Sequence, residues 1–195
     1  MPTNKKRKQY AVSIDGSTTG TGVAVFEIAK NGDYKYIEHK LFKPDKAKYT
    51  SQKKGMSKTA YKLLHAKEKR EDMSNRVLFM MSHIEEMLDK YTPVVVVMED
   101  GYGQNDMMTL KMLSRIHGDV IGWARRHGAE MVIKTPSAWR KEVGMPLRDA
   151  NKKLLKREQL KELSKNIVKQ VFGIDVTDDE ADAICIGLSM TKILQ

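Results

Sequence analysis

The chain has 195 residues, a length that one domain fills while burying a core of its own, and its single cysteine, Cys185, excludes an internal disulfide framework. Apolar residues make up 41% and charged residues 31%, and no apolar run approaches the roughly 20 residues that span a bilayer, so a membrane-spanning class is excluded. The formal charge of +10 points to a polyanionic partner. The chain opens on a basic tail, residues 1–9, with Lys5-Lys6-Arg7-Lys8. The apolar segment that follows is broken at Asp15, which argues against a signal peptide and for a cytosolic protein. Residues 10–14 (YAVSI) and 21–28 (TGVAVFEI) read as strands on either side of the turn DGSTTG, and residues 34–42 (YKYIEHKLF) as a third, after Asn31-Gly32. From Pro44 to about Thr59 the sequence is polar, Lys-rich and aperiodic, which reads as a mobile basic loop whose order depends on a bound partner.

Beyond it, Val77, Met80, Met81, Ile84, Met87 and Leu88 recur at threes and fours and mark a core-facing helix, its methionines filling core. After Thr92-Pro93, the continuous run Val94–Met98 predicts a strand buried on both faces and ending at Glu99. Residues 107–127 read as a helix, 130–135 as a short strand, 152–172 as a basic amphipathic helix with Leu160, Leu163, Ile167 and Val171 on one face, and the last helix begins near Asp178. The expected class is α/β: one domain with a mixed five-stranded sheet, an antiparallel meander and then parallel strands, flanked by helices. Cys185, in an apolar stretch, is expected to be a buried small hydrophobe.

Charge is unevenly distributed. Residues 40–76 hold twelve Lys/Arg against four acids and residues 134–165 hold ten against four, so the remainder of the chain is acidic. Cations surrounding an acidic centre suit an enzyme that grips a phosphodiester backbone and places carboxylates on a metal, although each basic stretch also reads as ordinary solvated surface. Asp15 and Glu99 each end an apolar strand, where sites collect in mixed sheets. Asp179 and Asp182, three apart, share one face of the last helix, where like charges repel unless a cation lies beside them. Singly, each has a plain alternative: Asp15 an Asx turn, Glu99 an exposed loop start, Asp178 or Asp179 a helix cap. As a set they imply a metal, with hard oxygen ligands favouring Mg²⁺ or Mn²⁺ over Zn²⁺.

The segments SIDGSTTGTGVAVFE, VVVVMEDGY, RIHGDVIGWARRHG, KTPSAWRKEVG and DDEADAICIGL together resemble the RuvC family of Holliday junction resolvases, especially phage-encoded versions from Gram-positive hosts. The resemblance spans nearly the whole chain. It implies an RNase H-like fold, two Mg²⁺ ions per site, hydrolysis of the phosphodiester by a two-metal route, and a homodimer that nicks opposite strands of a four-way junction. It carries the metal-ligand and catalytic roles onto Asp15, Glu99, Asp179 and Asp182, with Asp178 as a competitor four positions before Asp182. Tyr102 falls where the bacterial enzymes carry an aromatic that wedges into the junction, though a core or surface tyrosine is the plain alternative. Lys156, Arg157 and Lys161 are the expected phosphate contacts. The longer preceding segment, MPLRDANKK, departs from the bacterial pattern and leaves that lysine alignment and the cleavage preference open.

Three other readings compete. DGSTTGTG also resembles the first phosphate loop of actin-like ATPases, but no second Gly-rich loop or adenosine motif accompanies it. A non-catalytic nucleic-acid-binding protein would need the basic stretches and not the acids. A broader structure-selective nuclease, cutting forks and flaps as well, fits the same residues.

Overall fold

Runs of β-branched residues bounded by turn signals form the strands where the pattern places them. The computed structural model describes residues 8–17, 19–101 and 107–190. Its strands are β1 (Gln9–Asp15), β2 (Thr21–Ile28), β3 (Tyr34–Phe42), β4 (Val95–Glu99) and β5 (Glu130–Lys134). They form one sheet in the order β3-β2-β1-β4-β5. The first three pair antiparallel, while β4 joins β1 and β5 joins β4 in parallel. This is the expected mixed sheet, with the apolar strands β1 and β4 at its centre.

The helices are α1 (Lys58–Tyr91), α2 (Met107–His127), α3 (Pro136–Glu142), α4 (Arg157–Phe172) and α5 (Asp178–Leu188). Because successive strand residues point to opposite faces, β1 divides its side chains between two cores. Val12 and Ile14 join Met80, Ile84 and Leu88 of α1 and Ile116 and Trp123 of α2. On the other face Ala24, Phe26 and Val97 pack against Trp139 of α3, Val168 of α4 and Ile184 of α5. Each large apolar side chain so buried contributes about 1.5–3 kcal/mol.

Small residues bring α5 unusually close to the sheet. A Cβ on Gly22 would lie 2.1 Å from the Asp179 carbonyl oxygen, and one on Gly187 would lie 2.0 Å from Phe26 Cε2. The buried Ser13 hydroxyl donates to the Ala183 carbonyl at 2.7 Å, so this polar side chain within β1 is satisfied by the helix it faces.

Three elements depart from the sequence pattern. Helix α3 is new: Thr135 caps it through its hydroxyl and Pro136 opens its first turn, a start signal present in TPSAW. Helix α4 begins at Arg157 rather than near 152. Before it, Asp149 Oδ1 accepts from the Asn151 and Lys153 amides at 2.9 Å, Lys152 takes φ 62°, and Arg148 bridges Leu154. That local turn offers the backbone an alternative to helix. Helix α1 extends to 34 residues, from a Ser57 cap to a left-handed Thr92, although its buried residues begin only at Val77. Residues 43–57 carry no helix or strand and run along its first half: Tyr49 donates to Asp72 at 3.0 Å, and the Thr50 amide donates to Glu68 at 3.0 Å. Among the described residues no helix is long and apolar enough to cross a membrane.

A carboxylate cleft as the candidate active site

The parallel pairing of β1 with β4 brings two acids together. One step past the last registered pair, Ile14 with Met98, come Asp15 and Glu99, both on the face covered by α3 and α5. Helix α5 lies across that strand end and presents Asp179 and Asp182. The four carboxylates line one cleft of about 320 Å³, together with Ser17, Arg140, Arg157 and Lys161. Sequence reasoning named the four acids, Arg157 and Lys161; it missed Arg140.

Each acid is held differently. The Trp139 indole N–H donates to Glu99 at 2.6 Å, and the Arg140 guanidinium lies over the Trp139 ring at 4.6 Å. The buried Ser164 hydroxyl donates to Asp182. Lys161 Nζ stands 3.3 Å from Asp179 and 3.4 Å from Asp178. Asp15 is buried, and among the described residues no side chain or amide donates to its carboxylate. Trp139 and Ser164 carried no legible signal, since the partners they orient lie 40 and 18 residues away.

Electrostatics sharpen the picture. Burial, and then the charges of Glu99, Asp182 and Asp179, push the Asp15 carboxyl well above the usual range, against a smaller opposing pull from Lys161. Burial likewise raises Glu99 and Asp182, partly offset by the donors on Trp139 and Ser164 and by the Arg140 charge. This is a concentration of negative charge that the surrounding protein leaves undercompensated, the environment a divalent cation relieves. Among the described residues no three Asp, Glu, His or Cys side chains are so placed that they could grip an ion as they stand, since Glu99, Asp182 and Asp179 are each turned toward a protein donor. The donor set nevertheless fits a hard, oxygen-seeking cation in number, charge and type.

Among the described residues, the remaining candidates fall outside the cleft. Asp178 pairs with Lys161 and Lys165, which hold its carboxyl below the usual range despite partial burial. Lys156 is exposed at the start of α4, where its amide donates to Gln159 at 2.8 Å. Tyr102 lies outside the described residues. Cys185 is buried, and burial pushes its thiol up, as befits a small core residue.

No family model matches the chain. In sequence it is 31% identical over 125 residues to the crossover junction endodeoxyribonuclease RuvC of Pseudarthrobacter chlorophenolicus, 61% of this chain and 58% of that protein. It is 30% identical over 66 residues to RuvC of Clavibacter sepedonicus, covering 34% of this chain and 32% of that one. The chain therefore matches between about a third and three fifths of the length of these curated relatives. In structure it superposes on RuvC of T. thermophilus in complex with a Holliday junction substrate with a TM-score of 0.61 at 15% identity, over 93% of this chain and 92% of that one. A second structure of Thermus thermophilus RuvC gives 0.57 at 16% identity over the same shares. The chain is thus similar in sequence to the RuvC Holliday junction resolvases and has their RNase H-like fold.

Proposed function

We propose that this chain is a divalent-metal-dependent endonuclease that resolves Holliday junctions and related branched DNA in the cytoplasm by paired nicks, acting as a homodimer. The observation that carries the reading is the convergence of Asp15, Glu99, Asp179 and Asp182 on one cleft rimmed by Arg140, Arg157 and Lys161. An acidic centre inside a basic rim fits a phosphodiester substrate and argues against a cleft built for binding alone, which has little use for buried, mutually repelling carboxylates.

In this reading the four acids are the metal ligands. Two Mg²⁺ ions, or Mn²⁺ in their place, would supply activation of a water nucleophile and relief of negative charge at the scissile phosphate. Trp139 and Ser164 act as positioning residues, each fixing one carboxylate through a single hydrogen bond. Arg140 and Arg157 draw the phosphate backbone to the cleft, and Lys156, exposed at the cap just before Arg157, extends that contact. Tyr102, three residues past Glu99, is assigned the stacking of a base at the junction centre. A two-fold homodimer matches the two-fold arrangement of strands to be cut.

The test is cleavage of labelled four-way junction, replication fork and linear duplex, in Mg²⁺ and in EDTA, by the native chain and by Glu99→Gln and Asp182→Asn. Paired Mg²⁺-dependent nicks confined to branched DNA and lost in both variants, with binding retained, are expected. Equal cutting of linear duplex would replace the resolvase reading with a general nuclease, and cutting that survives both substitutions would remove the site assignment.

A further inference from the structure

We propose that residues 43–76 form a basic arm that grips the duplex of a DNA arm away from the cut. This rests on the reading that the cleft takes branched DNA. The arm has two halves. The outgoing half starts beside the cleft: a Cβ on Gly20 would meet both Asp179 Oδ2 at 3.1 Å and Lys43 Cγ at 3.4 Å. It then runs antiparallel to α1, touching Asp72 through Tyr49 and Glu68 through Thr50, reverses at Gly55 (φ 87°), and re-enters the fold through the Ser57 cap.

The returning half is the part of α1 before Val77, from which no residue is fully buried. A stretch of helix that over about five turns brings only the partly buried Met73 to the core needs another reason to persist. From Lys58 to Arg76 it extends about 27 Å at 1.5 Å per residue. That matches about eight base pairs of duplex at 3.4 Å each.

The direction of the charges makes the case. The acids Glu68 and Asp72 are turned inward, holding Thr50, Tyr49 and Arg76, so they tether the strap and do not face a ligand. Of the other two acids, Asp45 is exposed and Glu71 pairs with Lys67 at 3.7 Å, and the remaining lysines outnumber them on the outside. Lys46, Lys48, Lys53 and Lys54 are exposed on the strap. Lys58, Lys62 and Lys69 are exposed on the helix at spacings of four and seven, which keep them on one side of it. The aromatic groups of the arm pack on one another instead: Tyr61 stacks on His65 at 5.6 Å between ring centres, with the Tyr49 ring against the same histidine. An outer surface on which exposed lysines outnumber the exposed acids Asp45 and Glu71, with its rings packed on one another, suits the phosphates of a duplex more than the bases of a single strand.

The test compares binding of two four-way junctions, with arms of about six and about fifteen base pairs, shorter and longer than the reach of the arm. The native chain is set against a variant carrying Lys53→Ala, Lys54→Ala, Lys58→Ala and Lys62→Ala. The native chain is expected to favour the long-armed junction about tenfold or more, with a log-affinity against log-salt slope steeper by about two to four units. The variant should lose both the preference and the extra slope. A variant that retains both overturns the proposal. Failure of the nuclease reading would show separately, as no Mg²⁺-dependent nicking of either junction with the binding preference intact.

Discussion

The two faces of the sheet are built from the same strands and have opposite characters. Against α1 and α2, Val12, Ile14, Val23, Val25, Val96 and Met98 form an apolar core, and the Trp123 indole N–H donates to Asp89 at 2.7 Å. Against α3, α4 and α5, the alternate residues of β1 and β4 include Ser13, Asp15 and Glu99, and the covering helices add Ser164 and Asp182. That second face tolerates polar groups because each has an assigned partner, Asp15 excepted. One strand therefore lines the apolar core with its even positions and the carboxylate cleft with Asp15, and a one-residue slip would exchange the two faces.

Breaking the second face should cost activity and spare the fold. Glu99→Gln keeps the shape and loses the charge, and is expected to lower the Mg²⁺-dependent nicking rate by about 10³-fold, the order seen when one electrostatic contact is lost from an active site. Single-turnover cleavage reads it. Breaking the first face should do the reverse: Ile84→Ala empties a fully buried position, and equilibrium urea unfolding should register a loss of about 3 kcal/mol. The folded fraction of that variant should cut at the native rate.

How much of this division was legible in sequence follows from the range of the interactions. Strand alternation and helical spacing are local, so β1 through β5, α2 and the inward face of α1 could be read directly, as could the four acids as a set. Helix α3 was missed although Thr135-Pro136 is a local start signal, because a seven-residue helix leaves little periodicity to read. The start of α4 was misplaced because the side chain of Asp149 competes for the backbone just before it. The partners of the acids were not legible at all: Trp139 meets Glu99, and Ser164 meets Asp182, only once α3 and α4 have packed on the second face.

Two smaller effects sharpen the comparison. Trp139→Phe keeps a ring beside Arg140 and removes the hydrogen bond to Glu99, and Mn²⁺ affinity measured by calorimetry is expected to fall about 10- to 100-fold, more than the modest loss of melting temperature would suggest. The last concerns stability itself. Because the folded chain raises the Asp15 carboxyl above its unfolded value, it holds that proton more tightly when folded. Metal-free stability therefore falls as pH rises from the unfolded carboxylate range through the raised folded value. Asp15→Asn, neutral throughout, should flatten that dependence and raise the melting temperature in EDTA near neutral pH, by about 2–4 °C for each kcal/mol relieved. A site that becomes more stable as it loses function is what a functional charge cluster predicts.

The most direct test uses two neighbours on one strand, Ile14→Val and Asp15→Asn, assayed side by side for Mg²⁺-dependent nicking of a four-way junction. If the faces divide the labour as described, Ile14→Val cuts at the native rate with a slightly lower melting temperature, while Asp15→Asn folds at least as stably and does not cut. Cutting by Asp15→Asn at the native rate would contradict the account.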